Sequence, residues 1–197
     1  MSHATAAPRP RVLADLVPLS RTRDVALIFG GALLTAICAQ IVFPLPGSPV
    51  PITGQTFAVL LTGAALGSTR GALSMALYLA LGLVGLPVYS DASSGFEVVW
   101  GATGGYLIGF IVAAYVVGRL SEARLDRSPW KALPVFTVGS LIVFVFGVPW
   151  LAVAADLSLG EAIALGLVPF IPGGIVKAMA AAAVLPAAWR MVGRHSD

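Results

Sequence analysis

The sequence predicts an all-α membrane protein with six transmembrane helices and both termini in the cytoplasm. Three observations carry that prediction. First, 58% of the 197 residues are hydrophobic and only 11% are charged, against about 25% charged in an ordinary soluble domain. A soluble chain of this size could neither hide so much apolar surface nor coat it with charge, and the mean hydropathy of +0.93 agrees. Second, the apolar residues fall into runs close to the roughly 20 residues needed to cross a bilayer. Third, the basic residues gather on alternate connections between those runs. This composition excludes a soluble domain, a disordered chain and a nucleic-acid binder.

Residues 1–23 read as a cytoplasmic tail. They hold Arg9, Arg11, Arg21 and Arg23 and lack an apolar run long enough for the core of a signal peptide, so the chain is expected to enter the membrane through its own first helix. A single membrane domain then covers residues 24–192, with helices expected at 24–42, 53–67, 70–86, 101–120, 133–155 and 172–192. Residues 193–197 form a second tail. Only Ser68 and Thr69 separate the second and third runs, which predicts a tight antiparallel hairpin. Before the sixth run, Pro169 and Pro172 follow a short apolar stretch. Proline at this spacing stops one helix and starts another, giving a short surface helix over 159–167; one long kinked helix is the competing reading.

Charge fixes the orientation. Arg9, Arg11, Arg21, Arg23, Arg70, Arg119, Arg124, Arg127, Lys131, Arg190 and Arg194 all fall on one side of a six-helix chain. The first, third and fifth connections hold only acids: Asp91, Glu97, Asp156 and Glu161. That pattern puts both termini inside and explains a pI near 9.4 without nucleic acid. The external connections are the unusual ones. Residues 43–52 contain Pro44, Pro46, Pro49 and Pro51, and residues 87–100 are rich in Ser and Gly around Tyr89, Phe96 and Trp100. They either link helices or fold over the bundle as a lid. Cys38, the single cysteine, excludes an internal disulfide and any site built on paired Cys ligands, and reads as a small packing residue.

One cation remains, Lys177. It lies in Pro172-Gly173-Gly174-Ile175-Val176-Lys177, about 8 Å inside the external end of the last helix. An ammonium within a membrane helix costs about 2.5–3.5 kcal/mol or more. It either meets an anion or carbonyl of a bound solute or snorkels to the headgroups. Gly173 and Gly174 leave backbone N–H groups open at the helix start, suited to acceptor atoms of a ligand or to tight packing. Thr53-Gly54-Gln55-Thr56 opens the second helix, and its polar side chains either cap the helix, the reading favoured for Thr53, or reach a ligand, the reading slightly favoured for Gln55. Gly101, Gly105 and Gly109 share one face suited to close helix packing, while Thr103, Gly104 and Tyr106 lie at the external end beside a pocket. Trp150 is either an interface-belt residue or part of that pocket. Ala32, Ala36 and Ala39 form a smooth stripe, for packing inside the bundle or for contact with another membrane protein.

Several chemistries are missing from the pattern. His3 and His195 lie in the tails, so no metal site is expected within the membrane. The chain has no P-loop and therefore no ATPase of its own. Paired carboxylates and nucleophile–base pairs are absent from the spans. A membrane enzyme is disfavoured, and no cofactor is expected.

Four motifs carry a resemblance: Pro49-Val50-Pro51-Ile52-Thr53-Gly54-Gln55-Thr56-Phe57, Gly82-Leu83-Val84-Gly85-Leu86-Pro87-Val88-Tyr89, Thr103-Gly104-Gly105-Tyr106-Leu107-Ile108-Gly109-Phe110 and Pro169-Phe170-Ile171-Pro172-Gly173-Gly174-Ile175-Val176-Lys177. In this order and spacing they resemble the signatures of BioY, the biotin-binding S component of energy-coupling factor (ECF) vitamin transporters. The resemblance implies an ECF S-component-like bundle in the cytoplasmic (inner) membrane of a prokaryote. It implies a biotin pocket near the external face, closed by the first and third connections. It further implies that Ala32 and Ala36 meet a transmembrane coupling subunit, and that two cytoplasmic ATPase subunits supply the energy.

On this reading Lys177 contacts a polar end of biotin, Gly173 and the Gly104-Gly105 turn give close backbone approach, and Tyr89, Trp100, Tyr106 and Trp150 wall the bicyclic ring. The family's last motif usually carries Asp where this chain has Gly174, and its third has Pro where this chain has Ala102. An S component for another small vitamin and a solitary biotin carrier without ATPase partners are the alternatives. Membrane lipid surrounds the chain, and a homo-oligomer is left open.

Overall fold

The computed structural model describes residues 11–18 and 20–193. Arg9, Arg194, His3 and His195 lie outside the described residues. The chain begins with a 3-10 turn, Leu13–Leu16, whose neighbours Val12 and Ala14 are buried. Part of the expected tail is therefore docked on the bundle. Asp15 holds it there, accepting the N–H groups of Arg11 and Val12 at 3.0 and 3.2 Å and Arg70 Nη2 at 3.2 Å. Burial pushes the Asp15 carboxyl up, but these bonds outweigh it and hold the group below its usual value.

Helix α1, Arg21–Ala39, starts before the first purely apolar residue because its charges find local partners. Ser20 Oγ accepts Arg23 N–H at 3.1 Å, and Arg23 donates to the Val17 carbonyl at 2.6 Å and pairs with Asp24 at 2.9 Å. Ala32 and Ala39 are 1% and 0% exposed, and Ala36 packs against the same core. Ala32 and Ala39 therefore pack inside the bundle, where a smooth face lets backbones approach, while Ala36 is half-buried. The outward face carries Val25, Phe29, Leu33 and Ile37 instead.

After α1 a small antiparallel hairpin forms, with β1, Val42–Phe43, paired to β2, Ile52–Thr53. The remaining helices are α2, Gln55–Leu66; α3, Ser68–Leu83; α4, Phe96–Trp100; α5, Gly104–Glu122; α6, Pro129–Ala154; α7, Leu159–Gly166; and α8, Ile171–Gly193. Helix α6 begins four residues earlier than expected because Pro129 occupies the first turn, where its missing N–H costs nothing. Helix α7 carries a capping box, Ser158 with Glu161, and ends at Leu167, whose backbone leaves the helical region.

Among the described residues, four segments are long and apolar enough to cross a membrane: Arg21–Ala39, Gly104–Glu122, Pro129–Ala154 and Leu159–Met191, the last broken between α7 and α8. Helix α2 has 12 residues and α3 has 16, about 18 and 24 Å, short of the ~30 Å hydrocarbon core. The β1–β2 segment takes the length that the sequence reading gave to the second helix.

Helix α5 is the centre of the bundle, packed on α2, α3 and α6; α8 closes against α6 and α2, and α1 against α2 and α3. Helices α2, α3 and α5 meet backbone to backbone. A Cβ on Gly63 would lie 2.6 Å from the Ala114 carbonyl oxygen, and one on Gly71 would lie 2.9 Å from Gly63 Cα. The α2–α3 turn rests on Gly67, whose φ of +87° suits glycine and whose missing side chain leaves room for Glu122. That carboxylate accepts Ser68 N–H and Oγ–H at 2.8 and 2.7 Å.

At the same end as Asp15, the α5–α6 connection clamps the end of α8. Trp189 Nε1 donates to the fully buried Asp126 at 3.1 Å, Arg127 sits 3.2 Å above the Trp189 ring, and Arg127 also donates to the Arg11 carbonyl at 3.1 Å. Burial raises the Asp126 carboxyl above its usual value, against the Trp189 bond and the Arg127 charge. An acid with a raised folded-state pKa contributes most below its unfolded value and progressively less as pH rises through the folded one. Asp126→Asn keeps an acceptor for Trp189 with no charge to bury. Its thermal midpoint is expected to exceed that of the parent at pH 8, with the gain shrinking by pH 4.5; a gain that grows on acidification contradicts the assignment.

Candidate functional site

At the opposite end, the segments between α1 and α2 and between α3 and α5 fold inward over the starts of α2, α5 and α8. With α6 they enclose a pocket whose empty space, counting the open solvent at its mouth, is about 680 Å³. Its walls are mainly apolar: Val50, Val98, Leu107, Phe110, Val143, Phe144 and Phe170. Polar groups converge from Thr53, Gln55, Thr56, Ser90, Thr103 and Ser140.

Lys177 is the one charged side chain among the lining residues. Its Nζ donates to the Thr53 carbonyl at 2.6 Å, which joins α8 to β2. The ammonium is thus held at the cavity wall by a backbone carbonyl. One turn before it, Gly174 also lines the cavity, and a Cβ there would meet nothing within 4 Å. Gly173 lies beside the cavity, close only to Ile52.

Both covering segments are tied down by side chains. Ser48 Oγ donates to the Leu165 carbonyl at 2.9 Å, fastening the segment before β2 to α7. Gln40 bridges the second segment, donating to the Tyr89 carbonyl at 3.0 Å and accepting Ala92 N–H at 3.1 Å. The buried Tyr89 lines the cavity; its hydroxyl donates to the Leu79 carbonyl at 2.6 Å, and its ring occupies the space that a Cβ at Gly82 would need. Tyr106 also lines the cavity, and its hydroxyl donates to Gly166 at 2.9 Å, pinning α7 to α5. Gln55 is held at both ends of its amide: Oε1 accepts Thr53 Oγ–H at 2.8 Å and Nε2 donates to Tyr78 at 2.6 Å.

Of the residues expected to form the site, the structure brings together Lys177, Gly174, Gln55, Tyr89, Thr103 and Tyr106. Others fall outside the lining. Trp100 is 68% exposed and stands 5.9 Å from Trp150, whose Nε1 donates to Gly101 at 2.9 Å. That pair braces the outside of the α4–α5 turn. Gly104 and Gly105 are helix-crossing positions: added side chains would strike Val99 and Trp150, respectively. Gly101 precedes α5 rather than joining its glycine face.

Sequence reasoning missed Ser140, Phe144, Phe110 and Phe170. Ser140 had a signal, a hydroxyl within an apolar run; the phenylalanines had none, since an aromatic in a membrane helix reads alike on either face. The readings offered for Thr53 concerned its side chain, yet it is its carbonyl that receives Lys177. Among the described residues no cluster of His, Cys, Asp and Glu is arranged to hold a metal ion.

Comparison with known proteins adds the following. The model of the BioY family matches residues 9–194. The chain is similar to a biotin transporter BioY of Rhizobium etli, 34% identical over 172 residues that cover 82% of this chain and 90% of that protein. A biotin transporter BioY of Thermotoga maritima is 36% identical over 158 residues, 80% and 92% of the two chains. One from Rhodobacter capsulatus is 40% identical over 168 residues, 79% and 87%. Among solved structures, the S-component for biotin from an ECF-type ABC transporter superposes with a TM-score of 0.76 at 26% identity, covering 88% of this chain and 95% of that one.

Proposed function

We infer the function from one premise: the chain belongs to the BioY family. It binds biotin and serves biotin uptake as the substrate-capture component of an ECF-type transporter, a role in transport and not in catalysis. It is a multi-pass membrane protein, and its fold implies ECF partner modules.

Beyond this, the reading assigns biotin to the Lys177 cavity. The observation that carries it is a half-buried cation, the one charged side chain lining a mainly apolar pocket. Lys177 meets a polar end of biotin, carboxylate or ureido carbonyl, while Tyr89, Tyr106, Phe110 and Phe144 surround the ring system. Thr103, Gln55 and Ser140 supply neutral hydrogen-bonding groups. Residues 24–192 form one domain of six membrane helices, with both termini in the cytoplasm of a prokaryote. A transmembrane coupling subunit and two ATPase subunits supply the drive. The charge asymmetry of the connections supports that orientation.

Equilibrium binding of labelled biotin to the purified protein tests the assignment: saturable binding below micromolar concentration is expected, and its absence overturns it. Trp100→Ala is expected to leave the affinity within about twofold, because the ring lies outside the cavity; a tenfold loss in a titration would return Trp100 to the wall. One observation favours a second reading. Gly174 offers no carboxylate to ligand N–H groups, so a different small vitamin is the alternative, and a competition panel of vitamins separates the two.

A further inference from the structure

Tyr78 lies on α3, is 1% exposed and is not among the residues that line the cavity. Its hydroxyl nevertheless makes two hydrogen bonds that connect the cavity to its cover. It donates to the Val88 carbonyl at 3.1 Å and accepts Gln55 Nε2–H at 2.6 Å. Val88 directly precedes Tyr89 and Ser90, which roof the cavity.

The polarity of the whole chain of bonds follows from its end. A backbone carbonyl can only accept, so the single Tyr78 proton is committed to Val88. The Tyr78 oxygen must then accept from Gln55, which turns the Gln55 amide so that its NH₂ faces Tyr78 and its oxygen faces Thr53. Thr53 Oγ therefore donates to Gln55 at 2.8 Å. The carbonyl of this same Thr53 receives Lys177 Nζ. Each group has one orientation that satisfies all the others, and an unpaired member at this depth is costly. Gln55, which does line the cavity, can present its remaining donor and acceptor in one sense only.

We propose that Tyr78 is a positioning residue for ligand capture. Through Gln55 and Val88 it fixes the hydrogen-bonding sense of the cavity wall and couples the Lys177–Thr53 end of the site to the segment covering it. The proposal rests on the assignment of biotin to this cavity.

The coupling makes a kinetic demand. Losing the Tyr78 hydroxyl frees both the Gln55 amide and the Val88 carbonyl, so the bound state loses its lock while the entry route stays unchanged. Tyr78→Phe and Gln55→Leu are each expected to speed biotin dissociation about five- to twentyfold, with the association rate within about threefold of the parent. The double variant is expected to be no worse than the weaker-binding single one. Hydrogen exchange gives an independent readout on the unmodified chain: biotin should slow amide exchange over residues 86–95, and in Tyr78→Phe that protection should fall by more than the drop in ligand-free midpoint accounts for.

Stopped-flow and exchange measurements on the detergent-solubilised full chain decide it. If the parent does not bind biotin, the assignment of the cavity fails. If the parent binds and Tyr78→Phe keeps its dissociation rate, the two single effects add, or biotin fails to protect residues 86–95 in the parent, the positioning role is overturned. A loss of affinity accompanied by an equal fall in ligand-free stability also overturns it, assigning Tyr78 to packing alone.

Discussion

Lys177→Met should weaken biotin binding by at least about tenfold without destabilising the ligand-free protein. The ammonium is the only charge lining the cavity and holds one protein partner, the Thr53 carbonyl, so donor capacity remains for a ligand acceptor. A hydrogen bond to a charged group contributes about 1.5–3 kcal/mol, and each 1.4 kcal/mol is about tenfold in affinity. Stability should respond differently. A cation within the membrane is costly, and methionine fills similar space without it. Calorimetric titration and a thermal midpoint on the same preparation therefore separate the roles: affinity lost at an unchanged midpoint identifies a ligand contact, whereas unchanged affinity removes Lys177 from the site.

Gly63→Val should have the largest effect on the fold. The new Cβ would lie 2.6 Å from the Ala114 carbonyl oxygen and 2.9 Å from Ala114 Cα. Both are backbone atoms of α5, so no side chain can turn aside; α2 and α5 must separate, and α3 with them through Gly71. Overpacking of this kind costs about 1–3 kcal/mol or more. For a chain of this size that corresponds to roughly 2–12 °C in thermal midpoint, or to loss of monodisperse protein. Gly30→Val is the control, because a Cβ at Gly30 meets nothing within 4 Å. Equal midpoints for the two variants would show that the three-helix crossing is not closely packed.

The long apolar runs were legible because burying a charge in hydrocarbon is costly enough to shape the sequence. Lys177 was legible for the same reason, as a cation left over once topology had claimed the rest. The direction in which a helix faces was harder to read. Ala32, Ala36 and Ala39 promised close contact, but smoothness does not say with what; Ala32 and Ala39 are buried by the chain itself, while Ala36 is half-buried. Trp100 and Trp150 read equally well as pocket wall or outer brace. The second helix was drawn too long because Thr53 and Gly54 adjoin an apolar run, while Thr53 pairs with Val42 of β1 and Gly54 N–H donates to the Ile41 carbonyl. What could not be read was any role carried by the main chain. The Thr53 and Val88 carbonyls hold Lys177 and Tyr78, and neither leaves a trace in residue identity.

The fastenings of the cavity also set an order for its making. Ser48 reaches Leu165 across 117 positions, and Lys177 reaches Thr53 across 124. At a synthesis rate of about 5–20 residues per second, roughly 6–25 s pass between the emergence of Thr53 and that of its partner on α8. During that interval the nascent chain has most of its helices but no finished chamber. A chain stopped before α8 would lack Lys177, and with it the bond that ties the last helix to β2.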